Sequence, residues 1–447
     1  MKQFYITCGI LLVCMTICYS QQGLILPSHI KKDKISFELV NNLVIVPVEV
    51  NGEKLSFLLD TGVNSTILFG ISEADSLRVN NAKLIKVIGL GEGEGVVALK
   101  SENNELRIGD AIDRNHSINV IFEESLNFST RMGIPVHGIL GNDFFKSFVV
   151  KTDYTSKKLT FYNPIKYRNK KCHNCVELSL QFHNNKPYAK IKMASLNKAP
   201  KEITLLVDSG SSDALWLFDE EGILSVDSKK YFDDFLGLGF SGNIFGKRSK
   251  LYRVLLGDFY LEEVKVAFPD KSATEGIQFF KDRDGSIGGD LLKRFTVTMD
   301  YQSKTMTLKK NSNFSDPFYY NMAGLTIELD GVDVVTELTT RRNFDFAGSD
   351  KRETGTKSRA VTDVSVFTQI SLVPRYVIVD IRKGSPAQLA GLEIGDEIVT
   401  INGSAAHKIK LFELNAMFSS KPGKSINLKV KRNNVLFKTG FTLKKVI

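Results

Sequence analysis

Phe57-Leu58-Leu59-Asp60-Thr61-Gly62 carries an apolar run into a turn that opens on an aspartate, and Leu205-Leu206-Val207-Asp208-Ser209-Gly210 repeats it further along the chain. Either copy alone says little, because Asp, Ser, Thr and Gly are ordinary turn residues. The surroundings repeat too. Val87-Ile88-Gly89-Leu90-Gly91 follows the first copy and Phe235-Leu236-Gly237-Leu238-Gly239 the second. Gly138-Ile139-Leu140-Gly141-Asn142-Asp143-Phe144-Phe145 is then matched by Gly285-Ser286-Ile287-Gly288-Gly289-Asp290-Leu291-Leu292. Asp60 to Asp208 and Gly89 to Gly237 each span 148 positions, and Asp153 to Asp300 spans 147. One spacing kept over separated landmarks marks an internal repeat. The sequence predicts two homologous lobes, 34–164 and 176–310, joined by a linker at 165–175.

Both lobes read as strands: short apolar and alternating runs divided by turn signals. Residues 43–50 form one strand, Asn51-Gly52 a hairpin turn and 55–59 the returning strand, so Asp60 stands where a strand ends. The stretch 88–97 is a glycine-dense hairpin tip. It is not a phosphate loop, because its spacing misses G-x-G-x-x-G and Glu92 and Glu94 would repel an anion.

The chain has 447 residues, 43% hydrophobic and 24% charged, enough for two or three domains with real cores. Its formal net charge of +9 is spread along the sequence, which describes a solvated basic surface and argues against a nucleic-acid partner. Met1-Lys2-Gln3, an apolar stretch over 6–18 and Ser20 describe a cleavable secretory signal over 1–20. Cys14 and Cys18 keep a lipoprotein signal open as the alternative, although Val13 and Ile17 precede them where a small residue belongs. No later segment reaches transmembrane length. The expected location is the periplasm, the cell envelope or the medium. The mature chain keeps Cys172 and Cys175, a candidate local disulfide in an oxidising compartment.

Beyond the second lobe, 321–327 reads as a loop entering a strand. Residues 341–360 are polar and charged and read as a long flexible loop. A strand at 376–381, a short helix with Pro386 in its first turn, a strand closed by Asn402-Gly403, a helix at 410–418 and strands at 425–431 and 436–443 complete the chain.

Two aspartates in one cleft cannot both stay ionised, because each raises the cost of charging the other. One shared proton leaves one carboxylate as base and the other as acid. The base takes a proton from a water between them while the acid protonates the attacked carbonyl, so a peptide bond is hydrolysed with no metal or cofactor. Other chemistries lack parts: no H-E-x-x-H occurs among the six His, and the mature cysteines sit in the linker. Asp282-Arg283-Asp284-Gly285 hints at a calcium loop, but Lys293 stands where the bidentate Glu belongs.

The paired Asp-Thr-Gly and Asp-Ser-Gly motifs, the Ile139-Leu140-Gly141 and Ile287-Gly288 elements and the glycine-rich tips resemble a single-chain aspartic peptidase of the retropepsin and pepsin type. Gly384-Ser385-Pro386-Ala387, Ala390-Gly391-Leu392, Gly395-Asp396 and Ile401-Asn402-Gly403 resemble a PDZ domain, as in the bacterial branch where two lobes precede one. The implied fold is mostly β: two pseudo-symmetric lobes and then a PDZ domain over 318–447 with an insertion near 331–370.

The resemblance implies that Asp60 and Asp208 are the catalytic dyad. Gly89-Leu90-Gly91 and Gly237-Leu238-Gly239 would belong to flaps closing on an extended substrate. Thr61, Gly62, Ser209, Gly210 and Ser211 would support the active-site turns. Val63 follows the first motif where Ser211 follows the second, so Asp208 is expected to ionise first, helped by the Ser211 hydroxyl. Ala323, Gly324, Leu325, Thr326 and Ile327 would form the loop and strand that take a C-terminal peptide. The expected partners are protein or peptide substrates and such a peptide ligand. The rival reading is a catalytically silent scaffold that only grips extended chains.

Overall fold

The computed structural model describes residues 23–69, 79–87, 96–122, 128–168, 172–194, 199–218, 231–239, 242–274, 280–345 and 361–447. The expected signal over 1–20 lies outside them. The chain divides into two compact units, residues 1–320 with 445–447 and residues 321–444.

In the first unit, strands Leu43–Val50 and Glu53–Leu59 pair as an antiparallel hairpin, Ile45 opposite Leu58. Asn51 (φ 50°) and Gly52 (φ 92°) supply the positive φ angles that a tight hairpin turn requires. Strand Gly138–Leu140 lies parallel to Glu53–Leu59 and antiparallel to Thr66–Leu68. Only glycine fits at its head, since a Cβ on Gly138 would lie 2.3 Å from the Ile67 carbonyl oxygen.

The second lobe builds the same device. Gly285–Ile287 lies parallel to Lys201–Val207 and antiparallel to Leu215–Leu217, and a Cβ on Gly285 would lie 1.9 Å from the Trp216 carbonyl oxygen. Ser286, the one apolar-to-polar departure from the first copy, is buried in register between Leu206 and Trp216. The pairing is thus kept by backbone geometry and not by that side chain.

The lobes share a sheet. Val149–Asp153 pairs antiparallel with Phe295–Asp300, Val150 opposite Met299. Lys158–Tyr162 and Lys32–Ser36 extend it on one side, Thr305–Lys310 and Cys175–His183 on the other. Alternation along Phe295-Thr296-Val297-Thr298-Met299 turns every second residue into the core. One apolar cluster therefore runs from Val46 and Leu59 through Val150 and Phe161 to Leu205 and Met299. Cys172 and Cys175 pair as a disulfide with Cα atoms 5.7 Å apart.

The second unit is a sheet whose path begins with Leu325–Asp345 and Val361–Ile381, followed by Glu397–Ile401, Ser425–Arg432 and Val435–Thr442. The flexible loop expected over 341–360 is corrected here. Residues 341–345 continue a 21-residue strand whose partner resumes at Val361, Asp345 opposite Val361, while 346–360 lie outside the described residues. Ladder hydrogen bonds satisfy this polar backbone, which composition alone could not reveal. The ribbon is amphipathic, with Val332, Val334, Leu338, Val366, Ile370 and Leu372 on one face, each more than half exposed. Among the described residues no helix is long and apolar enough to cross a membrane.

Candidate active site

The parallel strand pairs deliver the two aspartates. The Asp60 N–H donates to the Leu140 carbonyl (3.0 Å) and the Asp208 N–H to that of Ile287 (2.9 Å), so each strand end is fixed by the inserted strand beside it. Within each turn the glycine N–H donates back to the aspartate, Gly62 to Asp60 Oδ1 at 2.6 Å and Gly210 to Asp208 Oδ1 at 3.1 Å. Each glycine also faces the opposite aspartate. A Cβ on Gly210 would lie 2.1 Å from Asp60 Oδ2, and one on Gly62 would lie 2.9 Å from Asp208 Oδ1. Both carboxyl groups thus lie against Gly62, with Asp60 Oδ1 and Asp208 Oδ1 3.1 and 2.9 Å from the place a Cβ would take there.

The residues after the aspartates lock the turns across the lobe boundary. The Thr61 N–H donates to Ser209 Oγ and the Ser209 N–H to Thr61 Oγ1, both at 3.0 Å. Thr61 Oγ1 then donates to the Val207 carbonyl (2.6 Å) and Ser209 Oγ to that of Leu59 (2.8 Å). All four bonds are buried, where an unmade bond is costly, so the relative position of the aspartates is strongly specified.

The pair is electrostatically uneven. Asp60 is 7% exposed, and burial, then the Asp208 charge, push its carboxyl up to about 8. Burial raises Asp208 as well, but Arg283 and Lys186 oppose the rise. Burial and the neighbouring Asp208 charge thus favour the protonated form of Asp60. Ser211 donates its backbone N–H to the Asp208 carbonyl at 3.3 Å, and Arg283 and Lys186 are the charges that lower Asp208. A carboxylate and a carboxylic acid in close approach can extract a proton from one atom and deliver one to another.

In the second unit Ala323, Leu325 and Ile327 are buried and Thr326 is half-buried. Gly324 has φ 73°, and a Cβ there would lie 2.3 Å from Ser385 Cβ. Its N–H donates to Asn321 Oδ1 (2.9 Å), so one amide of the expected peptide-binding loop already has an internal acceptor. Leu325–Asp345 ends the sheet path, with helix Leu411–Phe418 packed against it.

Residues 46–144 match the family described as aspartyl protease, and residues 350–439 match the one described as PDZ domain. The chain joins an aspartyl protease domain to a PDZ domain. Among solved structures it is similar to an aspartic proteinase from Irpex lacteus, with 12% identity over 64% of this chain and 99% of that one and a TM-score of 0.42, a likeness too loose to argue from. A comparison with curated proteins finds no match.

Around the dyad of the aspartyl protease domain, one expected flap, Gly89-Leu90-Gly91, lies outside the described residues. The other, Gly237-Leu238-Gly239, ends strand Phe232–Gly239 and folds back on Gly242–Leu256. Arg248 anchors this hairpin, with Nη1 donating to Asp213 and Nε to Asp234, both at 2.7 Å. Arg131 of the first lobe reaches the same hairpin, its guanidinium 4.8 Å from the Phe235 ring centre. The hairpin thus touches both lobes. Sequence reasoning missed Lys186, Arg283, Arg248 and Arg131, since nothing in their own spacing brings them together. Only Arg283, two residues before the repeated Gly285, stood beside a landmark. Among the described residues no cluster of His, Cys, Asp and Glu could hold a metal ion.

Proposed function

We propose that the chain is an exported aspartic endopeptidase in which a water between Asp60 and Asp208 attacks the peptide carbonyl. Asp208 acts as base and Asp60 as acid. The observation that carries this reading is the close approach of the buried Asp60 and half-buried Asp208 carboxyl groups across Gly62 and Gly210, held by the reciprocal Thr61 and Ser209 bonds. A scaffold that merely gripped peptides would have no use for two desolvated carboxyls, whose burial is costly. The hairpin carrying Gly237-Leu238-Gly239 would cover the bound peptide. The PDZ domain would recruit or position protein substrates through the edge beginning at Leu325, an added strand being the mode such edges support. Export rests on the N-terminal 1–20 pattern.

The test is cleavage of a mixed peptide library from acidic to neutral pH by the wild type and by Asp60→Asn, with and without a transition-state mimic bearing a secondary alcohol. Cleavage by the wild type that the mimic and the substitution both abolish supports the reading. Equal inertness of the folded proteins at every pH returns the silent scaffold.

A further inference from the structure

The ribbon of the PDZ unit runs on past the sheet that carries it. Strand Val361–Ile381 meets Glu397–Ile401 at Val377 opposite Glu397. From Val332 opposite Pro374 to Asp345 opposite Val361, each strand of the ribbon pairs with the other and with no third strand among the described residues. A two-stranded ribbon is marginal in water unless one face is packed against something.

Residues paired across two strands share a face. The register sets Val332 beside Pro374, Val334 beside Leu372, Thr336 beside Ile370, Leu338 beside Thr368 and Thr340 beside Val366. That face bears no charge over these five pairs, and its Val, Leu and Ile residues are 58% to 76% exposed. The opposite face carries Asp333, Gln369 and Ser371 beside half-buried Val335 and Val373 and exposed Phe367. Asp333 lies 3.7 Å from the Lys431 ammonium of strand Ser425–Arg432, so the uncharged face is the one left without a neighbour to pair with.

Its uncovered aliphatic surface comes to roughly 650 Å², more than the about 300–600 Å² of the largest apolar patch on a typical monomer. Thr336, Thr340 and Thr368, all exposed, extend the face to about 800 Å², which is what each partner contributes to a specific interface of standard size.

We infer that this face docks on the same face of a second copy of the chain, ribbon against ribbon about a two-fold axis. The area is what such an interface needs, and an uncharged apolar face is its own complement, since nothing on it repels its copy. A membrane is the poorer match, because elements that lie on lipid add Lys and Arg to their apolar bulk. Two ribbons stacked about 10 Å apart, as sheets stack, turn two marginal hairpins into a four-stranded sandwich. The inference does not depend on the peptidase reading.

The test is sedimentation equilibrium of the mature chain, residues 21–447, from about 1 to 100 μM. Twice the chain mass is expected toward the upper end, with slower amide exchange over 332–340 and 366–374 than in the diluted protein. Leu338→Glu combined with Ile370→Glu sets like charges on the face. Both positions are exposed, so the circular dichroism of the wild type is expected to be retained while the dissociation constant of the dimer rises at least about a hundredfold. Thr368→Glu removes no apolar side chain and is expected to raise it about tenfold. A dimer that the folded double variant and Thr368→Glu both leave intact overturns the inference, since another surface then holds it. So does a wild type that is monomeric at every concentration, whether or not it sediments with vesicles of phosphatidylcholine and phosphatidylserine.

Discussion

Thr61 and Ser209, 148 positions apart in the chain, each donate a backbone N–H to the other's hydroxyl and a hydroxyl proton to the carbonyl before the other's aspartate. The arrangement makes two lobes one site. Thr61→Val keeps the shape but removes a donor and an acceptor from this buried set. A loss of about 1–3 kcal/mol is expected in urea unfolding, with a fall in kcat larger than any change in KM. Ser209→Ala is expected to act similarly. The double variant should cost less than the two losses added, because the residues share their bonds.

Gly210→Ala tests the close approach of the turns. The new methyl would lie 2.1 Å from Asp60 Oδ2, so one carboxyl must move away. Activity is expected to fall by at least about a hundredfold, with the circular dichroism of the wild type retained. Unchanged turnover would mean that the close approach of the carboxyls is not required.

Asp60 gives stability a pH dependence of known sign. Its folded value of about 8 lies above the ordinary 3.8, so the fold favours the protonated form. That contribution is complete below about pH 4 and is lost as pH rises toward 8. Asp60→Asn has no such charge to bury. Its melting temperature, compared with the wild type in calorimetry, is expected to gain by several degrees between those limits, while cleavage falls by about a thousandfold or more.

Asp290 behaves oppositely. It is 3% exposed, and the ammonium groups of Lys265 and Lys293 at 2.6 and 2.7 Å hold its carboxyl well below the usual range. Its stabilisation is present above the ordinary carboxylate value and is lost as pH falls beneath it. Asp290→Asn strands two cations, and a loss of about 3–5 kcal/mol is expected at pH 7. The difference from the wild type should shrink in strong acid.

Arg248 holds the second-lobe hairpin through Asp213, Asp234 and the Phe235 carbonyl, and it is 11% exposed. Arg248→Met leaves two carboxylates without their shared partner. Faster amide exchange over 232–256 is expected, with a stability loss of about 3–5 kcal/mol and a rise in KM if the hairpin covers substrate.

Much of the fold was legible because its signals are local. Asn51-Gly52 specifies a hairpin turn wherever it occurs between apolar runs. Gly138 and Gly285 stand where an inserted strand passes too near a carbonyl for any side chain. The ribbon of the PDZ unit was misread for the opposite reason: residues 341–345 carry no apolar alternation, and their strand is held by pairing with 361–365.

The sequence by itself determined two copies of one β unit, the aspartate at the end of each and the order of the C-terminal elements, because repeats, turn residues and caps act within a few residues of themselves. Only the tertiary structure decided how the copies differ. Lys186 and Arg283 are far apart in the chain, yet both act on Asp208 in the folded protein, Lys186 because antiparallel pairing of Tyr188 with Leu206 carries it toward that strand end. Burial and Coulomb interaction depend on distance in space, so which aspartate holds the proton is a property of the folded chain.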